Sequence, residues 1–400
     1  VSGHRHIVVV GASLAGLRGV ETLRREGYDG RITWIGAEPH APYDRPPLSK
    51  QILTGRTEPE QIALRREPLE DLGAELRLGV RAAALDGRER AVALEGGERV
   101  PYDGLLVATG STARRLPGAP ELEGLHVLRT LDDALAIRRA LEKGPRVAVV
   151  GAGFIGAEVA ATCRSRGLEV TMVDPLPVPL SRSLPPPLGE ALAALHRDHG
   201  VDLRLGVGVE AVEGRGRVER LALSDGSRLE VDLVVVGIGV VPATDWLEGS
   251  GLELRDGVVC DETCATRLPG VVAAGDLARW TNPRFGEEMR IEHWSHAVEQ
   301  AQAAANTLLG RPVVYAPVPY VWTDQYDRKL QIAGVPRAGD EMRVVEGSLA
   351  ERRFVALFGR AGRLVGVAGM NRPAPVMRHK RQIAEGTSWE EALAAAASSG

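Results

Sequence analysis

Short apolar runs punctuate this chain, and two of them end in the same way. Ile7-Val8-Val9-Val10 leads into Gly11-Ala12-Ser13-Leu14-Ala15-Gly16, and Val147-Ala148-Val149-Val150 leads into Gly151-Ala152-Gly153-Phe154-Ile155-Gly156. Continuous apolar runs of this length predict strands buried on both faces, and the segments that follow keep apolar residues at helical spacing. The first unit therefore reads as a strand over 7–10, a helix over about 14–26 and a strand over 32–35. The second repeats it, with a strand over 146–150, a helix over about 154–166 and a strand over 169–173. This is an internal repeat of one nucleotide-binding half.

Three more apolar strands run into small-residue turns: Leu105-Leu106-Val107-Ala108-Thr109-Gly110, Leu233-Val234-Val235-Val236-Gly237-Ile238-Gly239, and Val271-Val272-Ala273-Ala274-Gly275-Asp276. Their order predicts one nucleotide domain interrupted by another and then resumed. From about 316 the pattern changes to alternating segments at 328–335, 342–348, 353–358 and 363–369, which predict a strand meander ahead of an Ala-rich helical tail. Pro-rich stretches at 175–187 and 312–319 read as a loop and a domain junction. The expected fold class is α/β, with two Rossmann-like dinucleotide-binding domains and a C-terminal α+β domain carrying an antiparallel sheet. The expected domains are 1–112 with 242–315, 113–241, and 316–400.

Composition narrows the picture by exclusion. A formal charge of −4 and 26% charged residues point to neither nucleic acid nor a membrane as the overall partner. No apolar run reaches the length of a membrane span. The first strand begins so early that no signal peptide is expected, and the cytoplasm is the expected compartment. The three cysteines, Cys163, Cys260 and Cys264, form no Cys-x-x-Cys pair, and none falls in the region just after the first glycine turn. Cys260 and Cys264 have metal-like spacing, but no Cys or His close in sequence completes four ligands, so no metal is expected.

The glycines carry the chemistry. In such a turn the first glycine permits the tight bend, the second lets backbone amides approach a pyrophosphate, and the third lets helix pack on strand. The phosphate charge then meets the helix N-terminus. Gly151, Gly153 and Gly156 fill all three positions, whereas the first turn carries Ser13 between Gly11 and Gly16. Asp174 closes the second strand of the second unit, where a carboxylate binds ribose hydroxyls and repels a 2′-phosphate. No Arg or Lys lies over 175–181, which favours NADH over NADPH. Glu38 is the corresponding candidate of the first unit.

Pro42-Tyr43-Asp44-Arg45-Pro46-Pro47-Leu48-Ser49-Lys50, Ala273-Ala274-Gly275-Asp276, Arg290-Ile291-Glu292-His293-Trp294 and Trp322-Thr323-Asp324-Gln325-Tyr326 occur in that order. Together they resemble the FAD-dependent NADH:ferredoxin reductases of oxygenase systems, proteins like putidaredoxin reductase and the biphenyl dioxygenase reductases, of the glutathione-reductase fold family. The resemblance spans almost the whole chain.

The resemblance implies that the first turn, with Gly11, Ser13, Leu14, Ala15 and Gly16, holds FAD tightly, with Glu38 or the Ala37 position at the ribose. It places Arg45 and Lys50 against FAD, Lys50 near the isoalloxazine, and Asp276 near the ribityl-phosphate. Ala83, Ala108, Thr109, Gly110 and Arg129 would line the same cofactor, as would Glu292, His293 and Trp294. Trp294 opens a helix over 294–308 whose positive end would face the flavin and stabilise its reduced, anionic form. Trp322 would border the nicotinamide side of the flavin pocket. NADH would lie on the second turn, with Phe154, Ile155, Glu158, Gly237, Ile238 and Gly239 beside Asp174.

No general base or nucleophile is required of such a protein, because the cofactors carry the redox chemistry. Disulfide reductases of the same fold carry a cysteine pair where this chain has Arg45 to Lys50, so the electrons are expected to leave for an acidic iron–sulfur ferredoxin in transient docking. That ferredoxin would feed a monooxygenase or a Rieske-type dioxygenase. Arg311, Arg352, Arg353, Arg372, Arg378, Lys380 and Arg381 are the candidate basic contacts. A reductase of small acceptors such as quinones or monodehydroascorbate, and a flavoprotein like apoptosis-inducing factor, are the alternatives. A monomer or weak dimer is expected.

Overall fold

The computed structural model describes residues 3–398 and divides into two compact units. The first comprises the described residues up to Asp44, then Ile62–Thr112 and Val241–Pro319. Its centre is a five-stranded parallel sheet in the order Val271–Ala273, Gly104–Val107, His6–Val10, Arg31–Gly36, Glu75–Leu78. The all-apolar run of residues 7–10 sits at its middle, with Val10 in register with both Ile35 and Val107. Helices Leu14–Arg25 and Trp294–Leu308 pack on each other. The first buries Leu17, Val20 and Leu23, which lie at three-residue steps along one face.

The second unit comprises Arg45–Gln61, Ala113–Val240 and the described residues from Tyr320 onward. It contains a second five-stranded parallel sheet, ordered Asp202–Leu205, Val170–Asp174, Val147–Val150, Leu233–Val236, Leu125–Val127. Helix Phe154–Ser165 follows its central strand. The unit also holds a five-stranded antiparallel sheet ordered Tyr320–Gln325, Arg328–Gly334, Arg363–Met370, Arg353–Arg360, Glu341–Ser348. Helices Pro373–Glu385 and Trp389–Ala397 complete it, separated by Gly386 in the left-handed conformation at φ 76°. Grouped by contact, the Arg45–Gln61 segment thus belongs with the second unit, as do residues 113–240 and 320–398 with each other.

Two Rossmann-like units and an antiparallel C-terminal sheet are the architecture that the apolar pattern predicts. Several elements lie outside that pattern, three of them for clear reasons. Strand Tyr320–Gln325 carries no clean alternation, because its Thr323 and Gln325 are polar yet buried. Helix Pro186–Asp198 begins inside the Pro185-Pro186-Pro187 run that reads as loop, since proline is accommodated in the first helical turn. Helix Leu131–Leu141 opens on Thr130 with a reciprocal capping box to Asp133.

Candidate functional site

In the first glycine turn, two glycines are required by the protein itself. Gly11 has φ 120°, and a Cβ there would lie 2.1 Å from the Ala108 carbonyl oxygen. A Cβ on Gly16 would lie 1.8 Å from the Gly11 carbonyl oxygen, which also accepts the Trp34 indole N–H at 3.0 Å. Ser13 is the N-cap of helix Leu14–Arg25, with extended backbone and a hydroxyl that does not cap the helix. Ala15 is buried in the first turn of that helix. Ala108 is buried and Gly110 has φ 68°, while the Thr109 hydroxyl donates to the Ala243 carbonyl at 2.8 Å.

Glu38 is half-buried and accepts a short hydrogen bond from the Tyr43 hydroxyl, whereas Ala37 and Ala83 are exposed. Asp276 is half-buried after the left-handed Gly275, and its Oδ2 accepts the Ser111 hydroxyl at 2.7 Å. Its carbonyl takes Nη1 of Arg290, which also pairs with Glu292 at 2.7 Å. His293 is the N-cap of helix Trp294–Leu308, and desolvation holds its imidazole down to about 4. Trp294 donates its indole N–H to Asp44 Oδ1 at 2.8 Å.

The second turn separates two kinds of glycine. A Cβ on Gly151 would lie 2.4 Å from the Gly237 carbonyl, and one on Gly156 would lie 1.8 Å from the Gly151 carbonyl. On Gly153, the N-cap of helix Phe154–Ser165, a Cβ would meet nothing nearer than the Gly237 carbonyl at 3.9 Å. The protein's own packing therefore leaves a cradle at Gly153, beside the helix N-terminus, of the kind a pyrophosphate fills. Phe154 is half-buried and Ile155 is 42% exposed at the start of the same helix. Gly237 and Ile238 are half-buried, and Gly239 is exposed with φ 101°. Asp174 Oδ2 accepts the Ala152 amide at 2.6 Å and Oδ1 the Leu176 amide at 2.7 Å. An ionised carboxylate has about four acceptor sites, so capacity for ribose hydroxyls remains.

Also in the second unit, Lys50 and Glu158 form a buried ion pair at 2.7 Å. Lys50 sits in the π-helical turn Leu48–Ile52 and Glu158 one turn into helix Phe154–Ser165. Glu158 Oε2 also accepts the Ser49 hydroxyl at 2.5 Å, and Oε1 the Thr323 hydroxyl at 2.8 Å. Arg45 donates to the Arg129 carbonyl at 2.6 Å. Trp322 is half-buried next to Thr323; alternation along the strand turns it to the other face, where Tyr320 lies 5.9 Å away, centroid to centroid.

Ser49, Thr323, Ser111 and Asp44 are contacts for which the sequence reading has no role. All but Ser111 lie inside the quoted motifs, so position in a motif was the available signal.

All three cysteines are buried and unpaired with one another. Burial pushes the thiols of Cys163 and Cys260 up to about 12, so they stay protonated and unreactive. Among the described residues no cluster of His, Cys, Asp and Glu is arranged to hold a metal, and no helix is long and apolar enough to cross a membrane. The basic candidates are partly engaged. Arg352 pairs with Asp198, Arg378 with Glu346 at 3.3 Å, Arg372 with Glu346 at 4.0 Å, and Arg311 with Glu26 at 3.7 Å. Lys380 sits 5.2 Å above the Tyr320 ring. Arg353 and Arg381 are exposed.

The model of the pyridine nucleotide-disulphide oxidoreductase family matches residues 5–301, and a reductase C-terminal model matches residues 320–399. The chain is 38% identical to the 5,5′-dehydrodivanillate O-demethylase ferredoxin reductase subunit of Sphingobium, over 96% of this chain and 94% of that one. It is 34% identical to putidaredoxin reductase of Pseudomonas putida, over 96% and 93% of the two chains. The reductase in a crystal structure of a covalent putidaredoxin reductase–putidaredoxin complex superposes with a TM-score of 0.94 at 32% identity, over 100% of both chains. The two glycine turns, the reductase C-terminal sheet and these likenesses place the chain in the pyridine nucleotide-disulphide oxidoreductase family, among its ferredoxin reductases.

Proposed function

We propose that this flavoprotein takes electron pairs from NADH and delivers them singly to an iron–sulfur ferredoxin serving a monooxygenase or a Rieske-type dioxygenase. The balance is one NADH and two oxidised ferredoxins to one NAD⁺, two reduced ferredoxins and one proton. Bound FAD supplies the conversion between two-electron and one-electron chemistry. The observation that carries the reading is the segment Arg45 to Lys50: it holds a cation paired with Glu158 where a disulfide reductase needs cysteines, and all three thiols are buried and protonated.

The residues fit the two nucleotides in distinct ways. We assign the turn Gly11–Gly16 and the helix amides behind Ser13 to the FAD pyrophosphate, with Glu38 at the ribose. Ala83, Ala108, Thr109, Gly110, Arg129 and Asp276 are assigned along the same cofactor. Glu292, His293 and Trp294 stand at the start of helix Trp294–Leu308, whose positive end favours a negative charge placed before it. Gly151, Gly153 and Gly156 are assigned to NADH, with Asp174 selecting an unphosphorylated ribose. Lys50, Glu158 and Trp322 are assigned to the end where nicotinamide and flavin meet. In domain terms, 1–112 with 242–315 binds FAD, 113–241 binds NADH, and 316–400 is the C-terminal α+β domain. Buried, unpaired thiols suit a reducing compartment, and we place the protein in the cytoplasm.

Steady-state assays with NADH decide the matter. Turnover with a ferredoxin encoded beside this gene, at rates comparable to those with ferricyanide, is the expected result. Reduction of ferricyanide or quinone with no transfer to any ferredoxin would overturn it.

A further inference from the structure

A string of buried hydrogen bonds runs from Glu158 away from Lys50. Thr323 Oγ1 lies 2.8 Å from Glu158 Oε1, and Gln325 Nε2 lies 3.4 Å from Thr323 Oγ1, the longest link. His196 Nε2 lies 3.1 Å from Gln325 Oε1, and His196 Nδ1 lies 2.9 Å from the Tyr326 hydroxyl. Glu158, Thr323, Gln325 and His196 are 5%, 0%, 2% and 0% exposed. The fold brings them together simply. Thr323 and Gln325 are two apart on strand Tyr320–Gln325 and so share a face, and His196 stands in the last turn of helix Pro186–Asp198. Tyr326 follows in the turn at φ 56°, with the His199 ring stacked on it at 3.6 Å.

Every bond in the string has only one possible direction. With Glu158 paired to the Lys50 cation, its Oε1 is the acceptor and the Thr323 hydroxyl donates to it. The Thr323 oxygen is then the acceptor for the Gln325 amide N–H. That turns the amide carbonyl toward His196, whose Nε2 must carry the hydrogen. Nδ1 is left as an acceptor, and the Tyr326 hydroxyl donates to it. This tautomer requires a neutral ring, and burial pushes the His196 imidazole down to about 4.

An apolar wall would pack against Glu158 without the cost of desolvating three polar side chains. Donors aligned head to tail reinforce one another. They hold Oε1 on one side of the carboxylate, while Lys50 and Ser49 hold Oε2 on the other. We infer that Thr323, Gln325 and His196 are positioning residues that fix the orientation of the Glu158 carboxylate, and through it the Lys50 ammonium, for electron transfer from NADH. The inference rests on the assignment of Lys50 and Glu158 to the nicotinamide end.

The test uses FAD-loaded protein with Thr323→Val, Thr323→Ser, Gln325→Leu and Glu158→Gln. Anaerobic rapid mixing with saturating NADH reads the rate of flavin bleaching. Losing one hydrogen bond to a charged group predicts a fall of about tenfold in Thr323→Val. Thr323→Ser keeps the hydroxyl and restores the rate to within about twofold, and Gln325→Leu, one link further away, falls about threefold. The Kd for NADH should change by less than about twofold in the Thr323 and Gln325 variants, because neither side chain is assigned to NADH binding.

A second readout is independent of turnover. In spectra of ¹⁵N-histidine-labelled protein, the His196 signals, identified by their loss in His196→Gln, should show a neutral ring protonated at Nε2. They should move in Thr323→Val and return in Thr323→Ser. Wild-type rates in both Thr323→Val and Gln325→Leu, or a His196 spectrum indifferent to Thr323→Val, would overturn the inference. Glu158→Gln separates the two failures. If it leaves the rate untouched, the placement of Glu158 fails; if it slows the reaction while the string variants do not, only the string fails.

Discussion

Lys50 Nζ and Glu158 Oε2 lie 2.7 Å apart, with side chains only 14% and 6% exposed, although 108 residues separate them in sequence. An ion pair this far from water is costly to halve. Removing the cation leaves a carboxylate whose remaining partners are the neutral Ser49 and Thr323 hydroxyls. Lys50→Met should therefore destabilise the protein by about 3 kcal/mol. Glu158→Gln still bonds both hydroxyls but leaves the slightly more exposed Lys50 ammonium without its counter-ion, and should cost somewhat less, about 2 kcal/mol. The double variant should cost less than the sum of the two. Thermal denaturation of the FAD-loaded proteins checks the order; additive losses would show that the pair is not coupled.

Gly153 and Gly156 predict opposite outcomes for the same substitution. Gly156→Ala drives a Cβ to within 1.8 Å of a backbone oxygen and should lower stability by several kcal/mol, on the order of the worst overpacked sites. Gly153→Ala has room, with its nearest neighbour at 3.9 Å, and should leave Tm nearly unchanged. The methyl would instead occupy the cradle assigned to NADH and raise the KM about tenfold or more. Unaltered kinetics in Gly153→Ala would remove the pyrophosphate from that turn.

Asp174 serves the turn as well as the proposed ribose site, because its two oxygens hold the Ala152 and Leu176 amides. Asp174→Asn keeps one acceptor oxygen and should raise the KM for NADH while narrowing the preference over NADPH. Asp174→Ala adds a loss of stability of about 1–3 kcal/mol from the unpaired amides. Parallel titrations with NADH and NADPH separate the two effects, and an unchanged ratio in both variants would take Asp174 out of the ribose site.

Acid should weaken this fold well before its carboxylates titrate. His196 and His296 are 0% and 3% exposed, and burial lowers them from 6.5 to about 4 and about 3. Both are neutral in the native protein near neutral pH. Below pH 6.5 the unfolded chain binds protons that the native state refuses, so stability falls as pH falls. Each residue contributes about 1.4 kcal/mol per pH unit until its native pKa is reached. Glu75 and Asp232, held down to about 2 by Arg31 and Arg146 respectively, add to the loss only below about pH 4.5. Tm measured between pH 7.5 and 5 should drop progressively, and His196→Gln should flatten the slope. A level profile in the wild type would contradict the burial of these rings.

Ferredoxin docking is the prediction that the structure refines most. Arg378 shares Glu346 with Arg372, and Lys380 lies over Tyr320, whereas Arg381 is exposed. Charge reversal at Arg381 together with Arg378 should weaken ferredoxin reduction more steeply at low salt than at high salt. Ferricyanide reduction should be spared. An equal loss with both acceptors would move the docking face elsewhere.

The glycine turns were legible because their requirements are local. A left-handed φ at Gly11 and Gly151, and a carbonyl oxygen 1.8 Å from any Cβ at Gly16 or Gly156, are satisfied within a few residues of chain. The buried strands were legible for a related reason: burial on both faces leaves only apolar residues, whatever the partners. The partners themselves were not. Thr323 meets Glu158 across 165 residues and Trp294 meets Asp44 across 250, and no spacing in the sequence encodes either meeting.

Sequence alone thus determined that the chain builds two dinucleotide turns and keeps its thiols out of the segment from Arg45 to Lys50. Tertiary structure alone decided which polar side chains are buried together. Strand Tyr320–Gln325 turns Thr323 toward helix Phe154–Ser165, and the neutral His196 at the end of another helix completes the string. The reason is physical. A turn is specified by backbone sterics within a few residues, whereas a buried hydrogen-bond network exists only once separate elements have excluded water from the space between them.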